Sequence, residues 1–194
     1  NLHENYQSIK AFCIFEKQYL KMKQLKILIP LLITLSLQLQ AQTDTLWMRQ
    51  RLQSCADNFT NAFMKKNWDQ YISYSNPAMV ASMGGNDAYK TVVAGNFAKI
   101  PEGAWKKYQV DSVLQIVKTP NEWQAVLSLN SVLEMNGLLI YTTSALIGQS
   151  WDGGNFWTFF GNEGDKSMAL MIKPDLSEAI QIPAKKEYSK PVKQ

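Results

Sequence analysis

Histidine and cysteine are almost missing from this chain of 194 residues, which holds one histidine and two cysteines. His3 and Cys13 both fall within the first 41 residues, a stretch that reads as removed on export. What remains has Cys55 as its one thiol and no histidine, so a His-bearing zinc site, a Ser-His-Asp triad and an internal disulfide are excluded. No metal and no cofactor is expected. Long hydrophobic runs are also lacking: the most apolar segment, about a dozen residues broken by Pro30 and Thr34, is short of the ~20 that span a bilayer, so no stable membrane anchor is expected. Internal repeats, low-complexity segments and interdomain linkers are absent too. With 46% hydrophobic and 19% charged residues, the chain reads as one globular domain and not as a disordered protein.

What is present begins with an export segment. Met22-Lys23-Gln24-Leu25-Lys26 supplies positive charge, Ile27 to Leu39 is nearly all apolar, and Leu39-Gln40-Ala41 suits a cleavage site. A signal peptide over 22–41, cut after Ala41, implies a periplasmic or secreted protein. Gln42 stands where a lipid anchor would need cysteine. Residues 1–21 precede a serviceable start at Met22 and read as a misassigned leader. Losing residues 1–41 removes five lysines and two glutamates and lowers the formal charge from +4 to +1. The surviving basic excess sits in Lys185, Lys186, Lys190 and Lys193, a Lys-rich tail over 184–194 expected to be flexible. No basic face is left to displace counterions from a phosphate backbone, so no nucleic-acid partner is expected.

Helices come first and strands second. Asp44 suits the cap of a helix over 45–66, whose stripe of Met48, Leu52, Cys55, Phe59 and Phe63 makes Cys55 a small buried hydrophobe in preference to a nucleophile. A short helix over Trp68 to Tyr74 ends before the Asn76-Pro77 breaker. Ala78 to Met83 reads as a brief strand closed by Gly84-Gly85, and Asn86 or Asp87 caps a third helix over 88–99. From Trp105 the period changes to two, giving strands over 105–118, 122–135, 138–149 and 156–160. Lys166 to Ile182 supplies a short helix and a last edge strand before Pro183. Neither glycine pair is followed by the lysine of a phosphate-binding loop, so both read as turns.

The Asn136-Gly137 pair predicts a two-residue type I′ hairpin, which fixes register. Leu133 then faces Ile140, Ser131 faces Thr142, Leu129 faces Ser144 and Leu127 faces Leu146, all on the face the helices should cover. Ser131, Thr142 and Ser144 need partners there: one another with a trapped water, or a ligand. The opposite face carries Val126, Val132, Tyr141, Ala145 and Ile147, an apolar patch that suggests a partner sheet or a homodimer contact. Trp68, Tyr71, Tyr74, Trp123 and Trp157 are core residues or cavity lining for a flat ligand.

The helix with Tyr71 and Tyr74 before Asn76-Pro77, the Gly84-Gly85 turn, the long antiparallel strands and the segment Asp152-Gly153-Gly154-Asn155-Phe156-Trp157-Thr158-Phe159 together resemble the NTF2-like superfamily, in particular its SnoaL-like and ketosteroid-isomerase-like members. The resemblance covers about Thr43 to Pro183, is carried by pattern, and sets the domain at 42–183. It implies an α+β fold, three N-terminal helices packed in the concave face of a curved antiparallel sheet, with a pocket inside the cone and dimerisation through the sheet's outer face. Isomerase-like members set a carboxylate base and a hydrogen-bond donor against an apolar cavity. Here the inner face of the two central strands has no acid, and Asp57, Asp69 and Asp87 have structural explanations. The resulting expectation is a non-catalytic protein that binds a small apolar or amphipathic ligand, or a protein partner, through Tyr71, Tyr74, Ser131, Thr142, Ser144 and Trp157. The alternatives are an isomerase or lyase with Asp111 as base and a tyrosine as donor, and an interaction module with a filled cone.

Overall fold

Apolar residues at three- and four-residue spacing fix the first helix, because Met48, Leu52, Cys55, Phe59 and Ala62 all bury along one stripe. A computed structural model describes residues 46–192. The leader, signal peptide and cleavage site expected over 1–41, the Asp44 cap and Lys193 lie outside the described residues. The chain from Met48 onward forms one unit and is described by itself. Helix α1 covers residues 46–64. Its end is a Schellman closure, with Asn67 N–H donating to Ala62 O at 2.9 Å and Lys66 N–H to Phe63 O at 3.0 Å. Lys66 holds the left-handed position (φ +56°) that glycine usually fills.

Helix α2 (Trp68–Ser73) starts where the Asn67 side chain accepts from Gln70 N–H. The strand expected over Ala78 to Met83 is instead helix α3 (Pro77–Ser82). Asn76 accepts from the N–H groups of Ala78 and Met79 at 2.9 and 3.2 Å, and proline at the first helical position costs no hydrogen bond. The same two residues that end one helix therefore begin the next. Helix α4 (Asn86–Ala98) is entered from Gly85 with no side-chain cap, so Asn86 and Asp87 lie inside its first turn and do not cap it.

Strands β1 (Trp105–Lys118), β2 (Trp123–Met135), β3 (Leu138–Ser150) and β4 (Thr158–Asn162) form an antiparallel meander in chain order. Helix α5 (Lys166–Ile172) follows, then β5 (Lys186–Pro191). The sheet is open and five-stranded, and the fold is α+β with the main helices before the sheet. The long β3 serves two neighbours: residues 145–149 pair with β4 and residues 138–143 with β5. Two expectations are thereby corrected. The Lys-rich tail is not loose over 186–191 but a paired strand, and the last edge strand falls after Pro183 because β3 has unfilled pairing capacity only at its hairpin end.

The hairpin register is the expected one. Leu133↔Ile140, Ser131↔Thr142, Leu129↔Ser144 and Leu127↔Leu146 are all paired, with Asn136 and Gly137 both at positive φ (51° and 75°). One sheet face buries Ala125, Leu127, Leu129 and Leu146 against Leu52, Phe59, Tyr71, Ile72, Val80 and Tyr89 of the helices. The opposite face does not await a second copy along its whole length. Val126, Ala145 and Ile147 are covered by Ala169 of α5 and by Leu176 and Ile180 of the segment that follows. The homodimer expectation loses these three residues, since a contact surface must be reachable.

Two glutamines on that covered face pin the covering segment. Gln124 accepts from Ser177 N–H at 2.8 Å and donates to Asp175 O at 3.0 Å; Gln115 accepts from Gln181 N–H at 3.0 Å and donates to Ala179 O at 2.7 Å. Each amide thus presents one donor and one acceptor, the same set that a neighbouring strand would offer. Lys173 reaches the Glu122 carboxylate beside them, both side chains buried.

The β3–β4 connection is closed by Asp152, which accepts from Ser150 Oγ at 2.8 Å and Phe156 N–H at 3.0 Å, while Ser150 Oγ accepts from Gly154 N–H at 3.0 Å. Partial burial pushes the Asp152 carboxyl up. The hydrogen bonds from Phe156, Ser150 and Asn155 outweigh it, so the group sits below its ordinary value. A lowered folded value means that the stabilisation is present above the unfolded value of about 3.9 and is lost as pH falls through the folded one. Hydrogen-exchange protection at Gly154 and Phe156 is expected to fall on acidification below about pH 4, and Asp152→Asn to abolish that dependence. Protection unchanged down to acid unfolding would refute the role.

Candidate functional site

The six expected pocket residues separate into three environments. Trp157 is fully buried, its indole Nε1 donating to Gly154 O at 2.9 Å, and Tyr71 stacks on Phe59 at 4.5 Å between ring centroids. Both belong to the packed interior. Burial pushes the Tyr71 phenol well above its usual value, with Tyr108 and Tyr89 adding to the effect. Burial likewise raises Tyr108. Burial disfavours the phenolate form of both. Cys55 is buried and burial pushes its thiol up, which suits a packing role and not a nucleophile.

Tyr74 is half-buried on the other side of α2's end, where its hydroxyl accepts from Asn58 Nδ2 at 3.2 Å and its ring stacks on Phe156 at 5.1 Å. Ser131, Thr142 and Ser144 remain together on the sheet and are half-buried. Their row runs Tyr108, Ser131, Thr142, Glu187 across β1, β2, β3 and β5. Thr142 Oγ1 donates to Glu187 Oε2 at 3.2 Å. An acid therefore does reach this face, from a strand the sequence reading took for a loose tail. Glu187 is half exposed and paired with Lys185 at 3.2 Å.

Asp111 sits at one of three β1–β2 register shifts, between Val110 and Ser112, and is exposed. The bulge turns it toward solvent while Val110 stays buried. It lines neither the cleft at the start of β1 nor the groove beside α1. Among the described residues no group of three or more His, Cys, Asp or Glu side chains is placed to hold a metal, and no helix is long and apolar enough to cross a membrane.

One opening lies where α1 and α4 end and β1 begins. A cleft of about 500 Å³ is lined by Met64 and Lys66 from the end of α1, Phe97 and Ala98 from the end of α4, Ile100 to Gly103, and Trp105 of β1. Phe97 and Trp105 both contact Phe63, at 5.2 and 5.4 Å between centroids. The Trp105 indole Nε1 is buried with no acceptor among the described residues. Lys66 Nζ stands 5.3 Å from the Phe97 ring centroid. Its left-handed backbone costs about 1 kcal/mol that glycine would not. None of the six expected residues lines this cleft. The missed residues gave no signal in sequence, because Lys66 follows a helix as any solvated lysine does and Trp105 reads as the start of a strand.

No family model, no curated protein and no solved structure matches this chain.

Proposed function

We propose that this chain is an exported, non-catalytic binding protein of the NTF2-like type, which takes a small amphipathic molecule with an anionic head at the end of its helical layer. The observation that carries the reading is the cleft formed by Phe97, Trp105, Met64 and Ile100 with Lys66 at its rim. The rings of Phe97 and Trp105 offer apolar surface to a hydrocarbon body, while Lys66, with Glu102 also in the lining, supplies charge that orients a head group. The unmatched Trp105 N–H is a buried donor that an acceptor would satisfy. The NTF2-like assignment rests on helices preceding a long antiparallel meander, and export on the sequence of residues 22–41. Catalysis has no comparable support, as neither Asp111 nor Glu187 is desolvated.

Titration with dodecanoate, followed by tryptophan emission, tests the reading. A saturable change is expected in the parent protein. Lys66→Gly should weaken it about tenfold, the loss of one partly desolvated ionic contact. The same substitution should keep or raise thermal stability, because it relieves the left-handed backbone. No saturable response to dodecanoate, or equal affinity in the variant, would overturn the proposal.

A further inference from the structure

A second opening lies away from that cleft and has different chemistry. Along the exposed side of α1, beside Val113 of β1, a groove of about 470 Å³ is lined almost entirely by hydrogen-bonding side chains, among them Arg49, Gln53, Asp57 and Asn58. Several are already oriented by the fold. Arg49 Nη1 donates to Val113 O at 3.3 Å, Gln53 Nε2 to Asp57 Oδ1 at 3.0 Å, and Asn58 Nδ2 to the Tyr74 hydroxyl at 3.2 Å. Beyond the Asn58 end, outside the groove's own lining, the Tyr74 ring whose hydroxyl Asn58 bonds stacks on Phe156, which is 41% exposed.

The loop that presents Phe156 is rigid. Besides the Asp152 and Ser150 bonds described above, Arg51 Nε donates to Asn155 O at 2.7 Å and ties the loop to α1. An exposed large aromatic on a loop held by this many bonds is pre-organised for contact, because little conformational freedom is left to lose when a ligand docks.

From these observations we infer that the groove is a binding site for a neutral, β-linked oligosaccharide. A pyranose with equatorial hydroxyls has apolar C–H faces and a belt of hydroxyls at its edge. The faces stack on an aromatic ring, and the belt hydrogen-bonds to planar groups that offer paired donors and acceptors: amide, carboxylate and guanidinium. Phe156 with Tyr74 supplies the first, and Arg49, Gln53, Asp57 and Asn58 the second. Arg49, Gln53 and Asp57 lie four residues apart along one side of α1, a rise of about 12 Å from first to last, which suits several linked sugars better than one.

The site is independent of the cleft at the end of the helical layer, and the test keeps the two apart. Calorimetric titration with cellohexaose should give saturable heat, and maltohexaose, whose α-linkages curve the chain, should bind more weakly. Phe156→Ala and Asn58→Ala should each weaken cellohexaose binding about tenfold, by loss of stacking or of paired hydrogen bonds. Lys66→Gly should leave it unchanged. Both groove variants change exposed or half-buried side chains, and their melting curves establish that they fold. Absence of saturable heat with cellohexaose, undiminished binding by folded Phe156→Ala, or equal loss in Lys66→Gly would each overturn the inference. The dodecanoate result bears on none of these outcomes.

Discussion

Replacing Lys173 by methionine is expected to destabilise the fold by about 3–5 kcal/mol, because it strands a buried carboxylate. The Lys173 and Glu122 side chains are 6% and 2% exposed, and the ammonium pairs with Glu122 Oε1 and, at 2.9 Å, with Asp175 Oδ1 at the surface. That ammonium holds the Asp175 carboxyl below its ordinary value. Once the cation is gone, Glu122 keeps a 2.7 Å bond from Gln124 Nε2 to Oε1, while Oε2 is buried with no partner among the described residues. Glu122→Leu combined with Lys173→Met should recover most of the loss, since the desolvation of both charges then disappears. Urea unfolding of the two single variants and the double variant, with slopes compared, measures the coupling. A loss under about 1 kcal/mol in Lys173→Met would mean that the pair is solvated in solution and does not clamp the segment after α5.

Trp157→Ala should cost a similar amount, about 3–5 kcal/mol, from lost apolar contact and the cavity left behind. Trp157 is fully buried beside Phe159, and its ring edge bounds the space at Gly148, where an added Cβ would lie 3.4 Å away. Trp157→Phe separates the two roles of the side chain. It keeps much of the volume and removes the N–H that Gly154 O accepts, so it should cost about 1 kcal/mol plus a small cavity term. The loss should appear as faster exchange in the 151–157 loop before it appears in global unfolding. A Trp157→Ala protein with near-parental stability would refute the packing role.

The β2–β3 hairpin was legible to the residue, because a two-residue turn admits one register and a slip by one would move Leu127, Leu129 and Leu146 off the core face. The stripe of α1 was legible for the same reason, since periodicity reports which side must be buried. The expectations that failed had no such constraint. Asn76-Pro77 was read as a stop, although an Asx cap followed by proline is equally a start. Asp111 is exposed beside one of three β1–β2 register shifts, which alternation alone does not reveal. The tail looked unstructured because its pairing partner, the hairpin end of β3, lies more than forty residues back in the chain.

By itself the sequence determined the fold class, the hairpin and the absence of histidine chemistry downstream of residue 41. Those follow from composition and local spacing, which need no knowledge of distant neighbours. Tertiary structure alone decided that the covered sheet face is closed by the chain's own α5 and the segment after it. It also decided that Trp157 and Tyr71 are interior, that Glu187 joins the Thr142 row, and that Lys66 and Trp105 meet at one cleft. The physical reason is range: burial and convergence depend on contacts between residues far apart in the chain, and no local pattern encodes which of them arrive.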